Sequence, residues 1–311
     1  MSEAPPRPEP GVVDAVDAVV GDLLPTAEAV PRTQWQLFRR RFVRHRAAMA
    51  GTAVLLLLLV ACFGADWIAP AEKGKQDLLA EPAGPSWDHP FGVDQLGRDY
   101  LTEVLYAGQV SLRIGLAVAV ISTVVGSILG ALAGYAGGWV DSALMRLTDL
   151  FLVIPQIALL AIALKRFGSS PLVITLVLAA LFWMGVARVV RSQVLVIKQR
   201  EFVEAARAAG ASDLRIVARH ILPNCIGPIT VNATLAVALA IVAESTLSFL
   251  GFGVQRPDTS WGNMLTDARG FVGTDLSFLI YSPGLMLLLV TLAINFIGDG
   301  LRDALDPQST R

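Results

Sequence analysis

The residues of this chain that could do chemistry are few and scattered. Its three histidines, His45, His89 and His220, are far apart, and its two cysteines, Cys62 and Cys225, lack metal-ligand spacing. Both cysteines sit in apolar surroundings and read as small buried hydrophobes. No G-x-x-x-x-G-K-[ST] loop is present to cradle nucleotide phosphates, nor a G-x-G-x-x-G turn or a nucleophile–base signature. Catalysis by this chain is therefore not expected, and no cofactor or metal is expected on it. What remains is one polar segment, KQREFVEAARAAGASDLRIVARHILPN (198–224), and a handful of polar residues inside apolar runs. Within the segment Glu204 and Arg207 stand three apart, a spacing at which a helical ion pair forms. Among the apolar runs, Arg146 and Asp149 are expected to pair with each other. Glu244, Asn232 and Asn295 are expected either to line a pathway or to bond between helices, since polar groups in a bilayer turn inward.

Those runs are the elements that must position everything else. The 311 residues are 54% hydrophobic and 16% charged, against about a quarter charged in soluble domains. The net charge of −1 gives no reason to expect nucleic acid. Apolar stretches of membrane-spanning length occur at Ala47–Ala65, Ile114–Val140, Ala143–Leu164, Phe167–Ala187, Ile221–Ala243 and Leu276–Gly298. The expected fold is all-α and integral to a membrane, with six transmembrane helices and an intervening loop between helices 4 and 5. Gly134, Gly137 and Gly138 are expected to turn the chain between spans two and three. Gly126, Gly130 and Gly134 recur every four residues, a close-packing face rather than a chemical one. Pro155 and Pro283 are expected to kink or bound their helices.

Of 25 Lys and Arg, 17 fall in the N-terminal segment and alternate loops that include 188–219. That bias predicts both termini in the cytoplasm. The organisation expected is a disordered cytoplasmic tail (1–34), a basic juxtamembrane segment (35–46), a first span (47–65) and an extracytoplasmic loop (66–109). A core of 110–305 containing the 198–223 loop and a short tail (306–311) follow. The first tail is rich in Pro, Ala and acids and lacks the pattern of a cleavable signal. In the outer segments Trp67 is expected to anchor at the interface, and Trp87 and Trp261 to meet a protein partner.

The polar segment reads as two short amphipathic helices on the cytoplasmic side. The first, Gln199–Ala209, turns Phe202, Ala206 and Ala209 to one side and stops at Gly210. The second starts with Ser212 as N-cap and Asp213 in the first turn. Its apolar face is Leu214, Val217 and Ile221, and Pro223 marks the next span. A loop lying on the lipid surface would show the same periodicity, so the order of residues decides.

Glu204-Ala205-Ala206, Gly210, His220 and Leu222-Pro223 resemble the cytoplasmic signature of bacterial ABC importer permeases. HPFGVDQLGRDYLTEVLYAGQVSLRIG (89–115), AESTLSFLGFGVQRPDTSWGNMLTDAR (243–269) and NFIGDGLRDALDP (295–307) are similar to segments of the C-type membrane subunit of dipeptide/oligopeptide importers. The resemblance covers roughly 35–307; His220 stands where the general signature has an aliphatic residue, as in peptide-importer relatives. It implies the type I permease fold, with Glu204, Ala205, Ala206, Gly210, His220, Leu222 and Pro223 as a coupling helix docked in an ATPase groove. It also implies a homologous second permease, two ATP-binding-cassette ATPase subunits holding ATP and Mg, an extracytoplasmic substrate-binding protein, and lipid around the chain. Transported solutes in this family are peptides, with relatives that carry nickel, opines, sugars or tetrapyrroles. An autonomous secondary transporter or a channel needs no such docking loop.

Overall fold

The computed structural model describes residues 34–77 and 79–305; apart from Gln34, the two expected tails lie outside them. Twelve helices are named in chain order: α1 Gln34–Arg44, α2 Arg46–Phe63, α3 Ala65–Ile68, α4 Tyr100–Ala136, α5 Gly138–Val153, α6 Gln156–Phe167, α7 Pro171–Ile197, α8 Glu201–Ala208, α9 Asp213–Ile216, α10 Leu222–Phe249, α11 Trp261–Ala268 and α12 Phe278–Leu305. Among the described residues there is no strand, only isolated bridges Ala83–Val93 and Val93–Asp99. Helix α1 is amphipathic and carries Arg41 and Arg44 in its last turn, where the helix dipole favours cations.

Five helical stretches are long and apolar enough to cross a membrane, and a sixth exists if the bent pair α5–α6 counts as one. The expected six spans thus hold on that count, with three corrections. The second span starts at Tyr100, inside the segment expected as a loop, because Asp99 is extended and its carboxylate accepts from the Thr102 N–H at 2.8 Å. The third span is broken: α5 and α6 meet at 89°, since Pro155 has no N–H to continue the helix. The fifth span has no gap before it. Residues 217–221 form a π turn that joins α9 to α10, so one helical run extends over Asp213–Phe249. Pro223 offers no N–H to the carbonyl of Arg219, and the Leu222 N–H reaches back to the Val217 carbonyl instead.

Helices α4 and α7 make the tightest seam. A Cβ at Gly126 would meet the Trp183 carbonyl at 2.6 Å, and one at Gly130 the Ala187 carbonyl at 2.4 Å. At Gly134 the obstacle is Val194, at 2.9 Å. The four-residue glycine repeat therefore sets backbone-to-backbone approach, as its spacing predicts. Gly134 stays helical; the turn into α5 is made by Gly137 and Gly138, with φ of +67° and +55°. Cys62 and Cys225 are free thiols buried among apolar side chains.

Candidate functional site

The 198–223 segment is bolted to the bundle at several points. Val203 of α8 is fully buried with Ile216, Ile221 and Cys225, against Val190 and Val194 of α7. Lys198 Nζ donates to the Gly134 carbonyl at 2.8 Å, at the end of α4. Tyr135 Oη donates to Asp213 Oδ1 at 2.6 Å. Gly210 ends α8 with φ +78°. Its N–H donates to the Arg207 carbonyl at 3.0 Å, and that of Ala211 to Ala206 at 3.1 Å. This is a Schellman cap, which requires the left-handed residue glycine supplies.

Once bolted down, the segment shows a face other than the expected one. Phe202 is 45% exposed and Ala209 is exposed, while Val203 and Ala206 turn inward. Leu214 is 79% exposed, and Ile216 takes the inward place assigned to it. The seam partner is α7, and the direction in which its valines lie selects Val203 over Phe202, a choice periodicity alone leaves open. Ser212 precedes α9 without a side-chain capping bond. Glu204 and Ala205 are exposed, and among the described residues no ion pair joins Glu204 to Arg207. His220 lies half-buried in the π turn, its carbonyl accepting from Asn224 Nδ2 at 2.6 Å. Leu222 is half-buried beside it and Pro223 is exposed.

The intramembrane polar residues separate into two sets. Arg146 and Asp149 do not pair: Asp149 binds Arg188 of α7, and Arg146 is exposed on α5 with no ion pair among the described residues. A second bond between the same helices, from Arg191 to Asp141, places Arg188 within reach of Asp149. Asn232 donates to the Pro228 carbonyl at 2.9 Å, one turn back on its own helix. Asn295 is half-buried.

Glu244 is completely buried and accepts from Ser248 Oγ at 2.7 Å, with Ser111 and Ser245 hydroxyls at 3.5 Å. Ser260, the N-cap of α11, lies 3.3 Å from Ser248, and Ser111 accepts from the Trp261 N–H at 3.2 Å. Several neutral donors around one carboxylate satisfy its lone pairs without a cation. Glu244 is therefore enclosed by serines of α4, α10 and the N-cap of α11. Trp261 also departs from expectation. It is fully buried, its indole N–H donating to the Val104 carbonyl at 2.9 Å, so it is a core residue rather than a docking one. Trp67 and Trp87 are exposed.

At the same end Arg98 bonds Asp94 at 2.6 Å and Glu103 at 3.1 Å. Burial works against its charge, but the Asp94 hydrogen bond and both carboxylates outweigh it and hold the guanidinium above its usual value. Sequence reasoning missed this cluster, the Asp141–Arg191 pair, Tyr135 and the serines around Glu244. The serines left a readable signal, since Ser245 and Ser248 stand one and four residues after Glu244 in an otherwise apolar helix. Arg98 also left one, four residues after Asp94 and five before Glu103, whereas Asp141–Arg191 and Tyr135–Asp213 left none, their partners being 50 and 78 residues apart.

A family model described as binding-protein-dependent transport system inner membrane component matches residues 126–311. A second, the N-terminal TM domain of oligopeptide transport permease C, matches 33–85. The oligopeptide transport system permease protein OppC of Mycobacterium tuberculosis (strain ATCC 25618 / H37Rv) is 42% identical over 272 residues, covering 87% of this chain and 93% of that protein. The glutathione transport system permease protein GsiD of Escherichia coli O6:K15:H31 (strain 536 / UPEC) is 42% identical over 279 residues, 89% and 91% of the two chains. A Brucella abortus biovar 1 (strain 9-941) protein with the provisional name of a peptide transport system permease is 41% identical over 291 residues, 91% and 96%. In fold, the chain is similar to a chain of the MetNI methionine ABC transporter in its inward-facing conformations. The TM-score is 0.53 at 21% identity, over 66% of this chain and 96% of that one.

Proposed function

As the chain belongs to the family of binding-protein-dependent transport system inner membrane components, and is a permease subunit of an ABC importer, we propose that its solutes are peptides and that residues 198–223 dock on the ATPase. Relatives named for oligopeptide, peptide and glutathione transport support the solute class. The full assembly in this reading has a homologous second permease, two ATPase subunits that hold ATP and Mg, and an extracytoplasmic binding protein. Both termini lie in the cytoplasm, as the Lys/Arg bias suggests.

The observation that carries the docking assignment is the exposed face of α8. Glu204, Ala205 and Phe202 look outward from a helix whose Val203 is fully buried. An exposed aromatic with small neighbours and a carboxylate, on a rigid mount, suits a groove in a protein partner. Glu204 supplies the polar anchor, Ala205 permits close approach and Gly210 holds the turn. Ala206, His220, Leu222 and Pro223 form the mount and the hinge behind it. Movement of α8 has two routes into the bundle: the unbroken run from Asp213 to Phe249, and the Lys198 and Tyr135 bonds to the end of α4. ATP binding then closes the ATPase pair, shifts α8, and changes which side the pathway faces.

The test is Glu204→Arg in the reconstituted importer. Folding and membrane insertion should be unchanged, while uptake and co-purification of the ATPase fall about tenfold or more, roughly 1.4 kcal/mol of docking. Unchanged uptake at normal protein levels would sink the assignment.

A further inference from the structure

The junction of α5 and α6 presents a problem that a membrane does not tolerate. Two helices that together have the length and composition of one span meet at 89° across Ile154–Pro155. The last turn of α5 has carbonyls, and the first turn of α6 has N–H groups, that no intrahelical bond reaches. The break lies at mid-height of the bundle: Phe151 before it and Leu160 after it pack in one cluster with Val118 and Ile121 of α4 and Leu181 of α7. It is also uncovered, with Val153 at 84% and Ile154 at 43% exposure. Non-helical backbone at membrane depth persists only where protein covers it or water reaches it.

A second, independent observation selects water. Arg146, Leu150 and Val153 stand four and three residues apart, on one face of α5. All three are exposed, and Arg146 makes no ion pair among the described residues. The Asp149–Arg188 pair next to this face is itself about half open, at 63% and 43% side-chain exposure. A guanidinium with no ion pair does not lie against acyl chains, and water would solvate both it and the free backbone groups of the elbow. By contrast, Thr148 on the opposite face is fully buried toward Arg188 of α7.

We propose that the α5–α6 elbow and the Arg146–Leu150–Val153 face line the water-filled solute pathway. This rests on the reading of the chain as a solute-conducting permease. The free N–H and carbonyl groups of the elbow offer sequence-independent hydrogen bonds to a peptide backbone, and Arg146 offers a cation to a carboxylate on the passing solute.

Single cysteines at Arg146, Leu150 and Val153 in the intact importer, in sealed vesicles, test this with a membrane-impermeant cationic methanethiosulfonate. The native Cys62 and Cys225 are buried and supply the background. Expected is modification at least tenfold faster at all three positions than at Leu57→Cys, an exposed position on unbroken α2, with Thr148→Cys unreactive. Excess trialanine should slow the reaction at Val153→Cys. Rates at Arg146→Cys, Leu150→Cys and Val153→Cys no faster than at Leu57→Cys would overturn the assignment. So would oxidative cross-linking of Val153→Cys to the partner permease in place of modification. Should one variant fail to insert, the remaining two decide. Uptake of labelled trialanine by the unmodified importer is read separately. A reactive elbow without peptide uptake upholds the pathway and removes the solute class; uptake with an unreactive elbow does the reverse.

Discussion

The α4–α7 seam and the α5–α6 elbow are built from similar apolar residues, yet they come out opposite. In the seam, three glycines bring two long helices to backbone contact. In the elbow, a proline ends one helix and the next departs at 89°, with Val153, Ile154 and Ile157 exposed at the break. What differs is where backbone hydrogen bonds go. The seam keeps all of them inside helices, so packing alone decides its geometry. The elbow gives up several, and something outside this chain must satisfy them. Segment 198–223 repeats the contrast on a small scale, with Val203 sealed and Phe202 open.

Breaking the seam should have the largest effect. Gly130→Val puts a branched side chain where a Cβ alone lies 2.4 Å from a backbone carbonyl. Overpacking of this kind costs about 1–3 kcal/mol or more, so detergent-solubilised protein should lose most of its folded fraction on size exclusion. Gly185→Ala, on the same α7 with nothing within 4 Å, should be neutral, and equal behaviour of the two would dismiss the close-approach account. A middle effect is expected where seam and elbow join. Asp141→Ala strands Arg191, whose side chain is 31% exposed. The loss should be about 1–3 kcal/mol, seen as a lower thermal midpoint together with faster modification of Val153→Cys. Asp149→Asn, at a more open pair, should cost under about 1 kcal/mol. Smallest of all, Tyr135→Phe removes one exposed bond to Asp213, worth about 0.5 kcal/mol where water competes for it. Its uptake rate should drop less than about twofold, and a larger drop would make that bond a principal route of coupling.

Much of this was legible in the chain before any coordinates. Span number and type, the glycine face, the turn at Gly210 and the order Glu204-Ala205-Ala206 through Pro223 are all local. Each depends on residues within a turn or two, whose spacing fixes which ones share a face. Partner choice is different. Arg146 and Asp149 have the right spacing for a pair, but Arg188, 39 residues away, takes the acid because Arg191–Asp141 brings α7 alongside α5. Trp261 reads as a surface aromatic in a polar loop and is instead closed over by Gly108 and Val104.

By itself the sequence determined the membrane spans, the helices and the signature segment 198–223 that we propose meets an ATPase. These follow from composition, period and short-range order, which survive any arrangement of the helices. Only the tertiary structure decided that Glu244 sits in a cage of serines, that Phe202 faces out and Val203 in, and that the third span breaks with its polar backbone uncovered. Those outcomes depend on which helix lies beside which, and close packing settles that for all the residues together rather than for any one of them.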